Sequence, residues 1–144
     1  MRKHKGFTLV ELVVVVMILG ILAAVAAPKL LGTSAAATNN GLKQTLATVR
    51  DAIERYAAEH NGALPGASDD SEATFKSDLS EYLRGSFPNC PVGDVKDASV
   101  DVQTGDELTA DSSTAWMYST SSGEFIVNSD GSVPGESGVT YNQL

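Results

Sequence analysis

The feature that most constrains this chain is an unbroken apolar run near its N-terminus. Residues 12–27 read LVVVVMILGILAAVAA and include no charged side chain. Taken as residues 7–27, the run forms about 31 Å of helix at about 1.5 Å per residue, close to the thickness of one bilayer core. The pattern argues against a soluble cytosolic enzyme.

Charged residues are distributed unevenly around this run. The chain has a formal net charge of -8, with 18 acidic against 10 basic residues. Arg2, Lys3 and Lys5 precede the run, whereas every acidic residue lies at or after Glu11. A basic flank predicts that the N-terminus stays cytoplasmic and that the acidic part lies across the membrane. The net negative charge argues against nucleic-acid binding.

Three interpretations of residues 1–28 are open. A secretory signal peptide shares the basic start, the apolar stretch and the small residues near 23–27. An uncleaved membrane anchor explains the length equally well. Neither explains Glu11, because a charge inside a membrane helix costs roughly 2.5 to 3.5 kcal/mol. In the third, cleavage after Gly6 would give Phe7 a new α-amino group, which could pair with the Glu11 carboxylate of a neighbouring subunit.

The residues around this carboxylate carry a resemblance to a known family. After a short basic leader, residues 6–12 read GFTLVEL. This string resembles the class III signal of type IV pilins and type II secretion pseudopilins. The resemblance implies that a prepilin peptidase/methyltransferase removes the leader, residues 1–6, by cleavage between Gly6 and Phe7. It also implies N-methylation of Phe7.

The same resemblance implies roles for two further residues and an overall fold. Glu11 takes the position of the family's glutamate, which serves peptidase-coupled processing or subunit docking during assembly. Pro28 takes that of its helix-kinking proline, and a bend or local melting is expected there because proline lacks a backbone donor. The implied pilin fold is α+β: a long N-terminal membrane-spanning helix packed by its C-terminal half on a small antiparallel β-sheet.

Hydrophobic periodicity divides the long helix in two. Residues 7–28 are predicted to form the transmembrane or fibre-core helix, and residues 29–60 its amphipathic half. Apolar side chains of the second half recur at spacings of three and four, which places them on one helix face. This stripe comprises Leu42, Leu46, Val49, Ile53, Tyr56 and His60.

The remainder, residues 61–144, is predicted to be a globular domain. Residues 71–84 read as a short helix with Asp70 or Ser71 as its N-cap. Alternating apolar residues predict three strands. These strands cover about 98–102, 114–119 and 124–128. Residues 129–144 have little periodicity and are expected to form a loose tail.

The sequence contains no recognisable catalytic motif. It has no G-x-S-x-G string, no H-E-x-x-H string and no glycine-rich phosphate loop. His60 is interpreted as a packing residue near a helix end. Cys90 is the only cysteine, which excludes an intramolecular disulfide, and it is expected to be a small buried residue. We therefore expect a protein that is not an enzyme.

Calcium is the one cofactor for which the sequence offers an argument. Major pseudopilins commonly have a C-terminal calcium loop rich in Asp and Gly, and Asp130 is the candidate ligand here. Calcium needs six to eight oxygen ligands, and the acidic residues between 94 and 111 do not have EF-hand spacing. The alternative is that these acids form solvated loops.

The family resemblance implies a structural subunit of a helical pilus-like fibre. The lone cysteine favours a type II secretion pseudopilin, which assembles from the inner membrane to drive protein export, because major type IV pilins usually close their C-terminal region with a disulfide. The alternative is a type IV pilin of a surface pilus that serves adhesion, motility or DNA uptake.

Partners and location also follow from this resemblance. The implied partners are the prepilin peptidase/methyltransferase, an inner-membrane assembly platform, and further pilin or pseudopilin subunits in a homopolymer. The implied location is a single pass through the inner membrane, with the N-terminus cytoplasmic and the globular domain periplasmic.

Overall fold

The computed structural model describes residues 7–144, with residues 29–32 described by their backbone alone. A long helix is followed by a short helix, a three-stranded sheet and a turn of 3-10 helix, which confirms the α+β class. The elements are α1 (Leu9–Glu59), α2 (Glu72–Leu79), β1 (Val100–Gln103), β2 (Trp116–Ser119), β3 (Phe125–Val127) and a 3-10 helix (Tyr141–Gln143). The chain divides into two compact units, Met1–Ala36 and Ala37–Leu144.

The first unit contains the apolar part of α1. Its described side chains from Leu9 to Pro28 are all exposed. This helix is long and apolar enough to cross a membrane, by length and composition. The helical assignment continues without a break through Pro28, so the expected local melting is not observed, and the kink at that residue stays a prediction.

The second unit begins with the amphipathic part of α1. Four residues of the predicted stripe, at spacings of four, three and four, are buried: Leu42, Leu46, Val49 and Ile53. Tyr56 is half-buried and His60 lies exposed just after the helix. The helix ends where Asn61 and Gly62 adopt positive φ angles of 56° and 86°. Left-handed residues of this kind commonly terminate helices.

Helix α2 is shorter than the predicted range of 71–84. Ser71 is its N-cap, and the Ser71 hydroxyl accepts a hydrogen bond from the Thr74 amide at 3.2 Å. At the other end, the main-chain nitrogen and the hydroxyl of Ser80 both donate to the carbonyl of Ser77, at 3.1 and 2.7 Å. A serine that bonds nearby backbone groups competes with helix continuation, so α2 stops at Leu79.

The sheet is mixed, with strand order β1-β2-β3. Strands β2 and β3 are antiparallel, with Trp116 opposite Val127. Strands β1 and β2 are parallel, so the prediction of an antiparallel sheet is wrong for β1. The connection between them, residues 104–115, has about the dozen residues that a crossover between parallel strands requires. Each strand begins and ends within two residues of its predicted first and last residue.

The main core lies between the sheet and the amphipathic part of α1. It is built on four fully buried aromatic side chains: Phe75, Trp116, Tyr118 and Phe125. The ring of Phe75 stacks on that of Tyr118 at 4.2 Å between centroids, and Trp116 stacks on Phe125 at 5.2 Å. Trp116 Nε1 donates to the Pro88 carbonyl at 3.1 Å, which ties the proline-rich connection to the core.

A second, smaller cluster was not predicted. Leu108, on the crossover between β1 and β2, is buried with Met117 and Ile126. Neighbouring residues on a strand point to opposite faces, so Met117 and its neighbour Trp116 pack on opposite faces of the sheet. The crossover therefore covers one face while the helices cover the other.

Residues 129–144 are an ordered part of the second unit, so the prediction of a loose tail is wrong. Ser132 and Thr140 form an isolated antiparallel bridge, and the 3-10 helix follows. The amide of Asn142 donates to the carbonyl of Ser129 at 3.0 Å. Pairing within this segment and contacts with α1 hold it in place, and neither produces a periodic pattern in the sequence.

Candidate functional site

The start of α1 carries the residues that the sequence motif singled out. Thr8 immediately precedes the helix, and Glu11 lies in its first turn. Glu11 Oε2 accepts hydrogen bonds from the Thr8 amide at 2.9 Å and from the Thr8 hydroxyl at 2.8 Å. The Glu11 amide in turn donates to the Thr8 hydroxyl at 3.2 Å. The two residues cap the helix reciprocally.

This arrangement is a capping box, the T-x-x-E pattern in which each side chain satisfies an otherwise free backbone donor of the first turn. The carboxylate also lies at the positive end of the helix dipole, where a negative charge is favoured. The sequence points to the α-amino group of Phe7 of a neighbouring subunit as a partner for Glu11, and that pairing stays a prediction. The structure adds that Thr8 donates two hydrogen bonds to the Glu11 carboxylate within a single chain. The string Thr8-Leu9-Val10-Glu11 contained the pattern, and it was missed.

Phe7 precedes the capping box, and its side chain is 85% exposed. Gly6 and the rest of the expected leader, residues 1–6, lie outside the described residues. The cleavage between Gly6 and Phe7, the methylation of Phe7 and the docking role of Glu11 therefore stay predictions.

The apolar surface beyond the capping box is uncovered in the single chain. Every large apolar side chain from Leu9 to Val25 is at least 44% exposed. Soluble proteins rarely expose an apolar surface of this extent, which normally marks contact with a membrane or another protein. The chain therefore needs lipid or other apolar helices around this segment.

Arg50 joins the second half of α1 to the sheet and to the ordered segment 129–144. Its Nε and Nη2 donate to the carbonyl of Phe125 at 3.1 and 2.8 Å, and Nη1 donates to the carbonyl of Leu144 at 2.9 Å. Burial lowers the pKa of the guanidinium from its usual value, with an opposing effect from Glu124. A charged donor thus satisfies two backbone acceptors that have no strand partner.

Two further contacts attach the same segment to α1. Lys43 forms an ion pair with Glu136. Asn39, buried on α1, donates from Nδ2 to the carbonyl of Pro134 at 3.1 Å. Asn39 is therefore a point of attachment between α1 and this segment. The segment is thus held to the helix without a disulfide.

The two candidate reactive side chains of the globular unit have structural environments. Cys90 is buried, and burial raises the pKa of its thiol, with smaller opposing effects from the Val92 backbone and Lys96. A buried thiol with a raised pKa forms little thiolate and reacts slowly. The His60 ring stacks on Tyr56 at 3.9 Å, and its Nδ1 lies 2.8 Å from the Tyr56 carbonyl.

Several acidic side chains cap turns. Asp111 accepts from the Ser113 amide at 2.9 Å and from Asn128 Nδ2 at 2.8 Å, and these hydrogen bonds lower the pKa of its carboxyl group. Asp97 accepts from the hydroxyl and amide of Ser99, which likewise lowers its pKa. These contacts favour the interpretation of the acids as loop residues.

The residues around Asp130 do not form a recognisable calcium cage. Throughout the described chain, no three His, Cys, Asp or Glu side chains lie together as potential metal ligands. Calcium takes six to eight oxygen ligands, several of which are usually carboxylates. Calcium binding by Asp130 therefore stays an untested prediction, and no function is assigned through the ion.

Comparison with known proteins adds to this geometry. The family model described as the prokaryotic N-terminal methylation motif matches residues 1–27. The chain is 38% identical over 73 residues to type II secretion system core protein G of Vibrio cholerae serotype O1. The matched region covers 51% of this chain and 49% of that protein. It is 28% identical over 88 residues to core protein G of Klebsiella pneumoniae, covering 61% and 62%.

A relative with a different name is also similar. The chain is 42% identical over 65 residues to fimbrial protein EcpB of Eikenella corrodens, which covers 45% of this chain and 40% of that protein. No solved structure matches the chain. The matched regions span about half the length of the curated relatives. Residues 1–27 therefore match the prokaryotic N-terminal methylation motif, and about half of the chain is similar to type II secretion system core protein G.

Proposed function

We propose that the protein is a structural subunit of a helical pilus-like fibre, and specifically a type II secretion pseudopilin that assembles from the inner membrane to drive protein export. The observation that carries the proposal is the uncovered apolar helix that begins with a capped carboxylate at Glu11. The similarity to core protein G supports the assignment to secretion.

The exposed apolar helix explains how such a subunit can occupy two environments. In the membrane, lipid covers the side chains of residues 7–28. In the fibre, the same side chains pack against helices of other subunits. Lipid tails and apolar side chains are similarly apolar, so the transfer out of the bilayer has a small net hydrophobic cost.

Glu11 acts differently in these two environments. In the membrane-held subunit, Thr8 partners the carboxylate, which lowers the cost of placing a charge at the helix start. In the fibre, the carboxylate pairs with the α-amino group of Phe7 of a neighbouring subunit. A buried ion pair adds little net stability, so this contact sets the register between subunits.

Processing prepares the subunit for this contact. A prepilin peptidase/methyltransferase on the cytoplasmic side cuts between Gly6 and Phe7 and methylates the new amine. The basic leader keeps that end cytoplasmic, which leaves the globular unit on the periplasmic side. An inner-membrane assembly platform then adds subunits to the fibre head to tail. Such a heterologous contact repeats without closing.

This function requires no catalysis by the protein itself and no nucleic-acid contact. The side chains with nucleophilic or basic chemistry, Cys90 and His60, are buried or stacked as described above. The net charge of -8 disfavours binding to phosphate backbones.

A surface pilus is the second candidate function, favoured by the similarity to fimbrial protein EcpB. Extracellular fibres on normal cells that contain this chain would support a surface pilus. Loss of protein export when the gene is deleted, without loss of surface fibres, would support the pseudopilin.

Intact-mass and N-terminal analysis of the protein from membranes tests the proposal first. We expect a chain that starts at N-methylated Phe7. A chain that starts near Ala27 would instead indicate a secretory signal peptide, and an uncut Met1 would indicate a plain anchor. Either of these results contradicts the fibre function.

A further inference from the structure

Segment 129–144 pairs with itself and packs on the second unit. The amide of Val133 donates to the carbonyl of Val139 at 2.9 Å, and the amide of Tyr141 donates to the carbonyl of Gly131 at 2.9 Å. Val133 is buried, and Tyr141 packs against the main core. The family resemblance implies a calcium loop in this part of the chain. The contacts that hold the segment therefore bear on whether the protein needs the ion.

The oxygen atoms of segment 129–144 fit a calcium ion poorly. Calcium needs six to eight oxygen ligands, several of which are usually carboxylates. The segment has two side-chain carboxylates, Asp130 and Glu136. Several of its backbone oxygens already accept hydrogen bonds from amides of the same segment: the carbonyls of Ser129, Gly131, Val133 and Glu136. An ion at this place would compete with hydrogen bonds that the fold already makes.

One of the two carboxylates already has a cation beside it. Lys43 Nζ forms an ion pair with Glu136 Oε1. Lys43 lies on α1, 93 positions before Glu136 in the chain. A calcium ion on the same carboxylate would be repelled by the ammonium group, because both are positively charged. The ammonium group of Lys43 thus takes the place beside Glu136 that a metal ion would need.

Lys43 belongs to a row of polar side chains along α1. Asn39, Lys43 and Arg50 are separated by four and seven residues, which places them on one face of the helix. Asn39 Nδ2 donates to the carbonyl of Pro134 at 3.1 Å, and Arg50 Nη1 donates to the carbonyl of Leu144 at 2.9 Å. We call these three residues the attachment row. The row contacts segment 129–144 both near its middle and at residue 144.

The three members of the attachment row contribute differently. Arg50 donates from a charged group in partly buried surroundings, and hydrogen bonds of this kind are roughly twice as strong as neutral ones. Asn39 is itself buried, so its hydrogen bond is shielded from water. The side chains of Lys43 and Glu136 are 44% and 39% exposed, and an exposed ion pair is weak. Lys43 therefore matters chiefly because it neutralises Glu136 where segment 129–144 meets α1.

We propose that Lys43 serves as a built-in cation for Glu136, and that the attachment row holds segment 129–144 on α1 without calcium. The globular unit then keeps its fold where calcium is scarce, whereas a segment held by the ion would detach there. The proposal goes beyond the proposed function, because it concerns how a single chain folds. It needs no second copy, so success or failure of fibre assembly leaves it unaffected.

Amide hydrogen exchange of the full chain in detergent micelles, measured by NMR, tests the need for calcium. The reporters are the hydrogen-bonded amides of Val133, Tyr141 and Asn142, and the amides of β2 serve as a reference for global unfolding. We expect equal protection of the reporters in calcium chloride and in the chelator EGTA. Protection that rises saturably with calcium, and not with magnesium, would show a calcium site and overturn the proposal.

A double-mutant cycle in EGTA tests the built-in cation itself. Lys43→Gln and Glu136→Gln are each expected to speed exchange of the reporters about two- to fivefold relative to β2, the range for an exposed ion pair. The double variant should exchange no faster than either single variant, because all three lack the same ion pair. Additive effects would show that the two side chains act independently. That result, or unchanged exchange in both single variants, would overturn the proposal.

Two further variants test the attachment row and its specificity. Asn39→Ala removes the hydrogen bond to the Pro134 carbonyl and should speed exchange of the reporters about three- to tenfold. Arg55→Gln removes an exposed ion pair of α1 with Asp51, which does not reach segment 129–144, and should leave the reporters unchanged. Equal acceleration by Arg55→Gln and Lys43→Gln would show that any lost ion pair of α1 loosens the segment, and would contradict the proposal. If Asn39→Ala also exposes the β2 amides, the cycle at Lys43 and Glu136 decides, because both of those side chains are partly exposed.

Discussion

Oε2 of Glu11 accepts hydrogen bonds from both the amide and the hydroxyl of Thr8, at 2.9 and 2.8 Å. The carboxylate expected to await a partner subunit is therefore also the cap of its own helix. Capping requires an acceptor oxygen, whereas pairing with an amine requires a negative charge. Variants at the two positions can separate these requirements.

At Glu11, substitution by Gln separates charge from capping. A glutamine at this position can still accept from Thr8, because capping boxes use Glu or Gln. We expect both Glu11→Gln and Glu11→Ala to give folded, membrane-held subunits that assemble poorly, because neither carries the charge for the Phe7 amine. Fibre yield from membranes is the measurement. Normal fibres from Glu11→Ala would contradict the docking role, and normal fibres from Glu11→Gln alone would assign that role to the cap.

At Thr8, the hydroxyl is the group to remove. Thr8→Val keeps the shape of the side chain and loses the cap, which typically costs about 0.5 to 2 kcal/mol of helix stability. We expect faster amide hydrogen exchange in the first turn of α1 in detergent micelles. Thr8→Ser keeps the hydroxyl and serves as the control. Equal exchange in Thr8→Val and the unsubstituted chain would mean that the capping box does not stabilise the helix.

Arg50 is expected to be the polar side chain whose loss most destabilises the globular unit. Arg50→Met removes three charged hydrogen bonds and leaves the carbonyls of Phe125 and Leu144 without that partner, which we expect to cost about 2 to 3 kcal/mol. Urea unfolding followed by fluorescence of the buried Trp116 measures this loss. Arg55→Met removes an exposed pair with Asp51 and should cost about 0.5 kcal/mol or less. Similar losses in both variants would refute the role of Arg50.

Acid is expected to destabilise the globular unit partly through Asp111. Hydrogen bonds from Ser113 and Asn128 lower the pKa of this carboxyl below its ordinary value of 3.8. A lowered folded-state pKa stabilises the fold above that ordinary value, and this stabilisation is lost as the pH falls through the lowered pKa. Asp111→Asn should therefore reduce the free energy of unfolding at pH 7 and make it fall less steeply as the pH is lowered, as measured by urea unfolding at a series of pH values. Asp106→Asn, at an exposed position, should change neither quantity. A similarly shallow pH dependence in Asp106→Asn would rule out a specific effect of Asp111.

The thiol of Cys90 is expected to report unfolding. Burial raises its pKa and excludes reagents, so a thiol reagent at pH 8 should react slowly with the folded chain and quickly in urea. Lys96→Cys in a Cys90→Ser background places an exposed thiol nearby and should react quickly in both conditions. Fast labelling of Cys90 in the folded chain would show that the thiol is accessible.

The parts of the fold that depend on local patterns could be predicted from the sequence. Leu42, Leu46, Val49 and Ile53 are buried as their spacing indicates, because a helix brings residues three and four apart to one face. Ser71 caps α2, as one of the two predicted candidates. The direction of β1 was predicted wrongly, because a strand pattern records which face is apolar and not which way the neighbouring strand runs.

Long-range contacts account for most of what the sequence analysis missed. Asn39, Lys43 and Arg50 reach residues more than 70 positions away, and no local pattern pairs a helix side chain with a distant carbonyl. The order of segment 129–144 depends on these contacts.

The amino-acid sequence by itself determined the apolar N-terminal helix, its methylation motif and the amphipathic stripe, because each depends on residues within a few positions of one another. The capping box belongs to this group as well, because Thr8 and Glu11 are three residues apart. Only the tertiary structure decided the mixed sheet, the order of residues 129–144 and the surroundings of Tyr118. These features depend on which distant backbone and side-chain groups come into contact in the folded chain. Local sequence preferences are compatible with many such sets of contacts, and only the packing of the whole chain favours one of them.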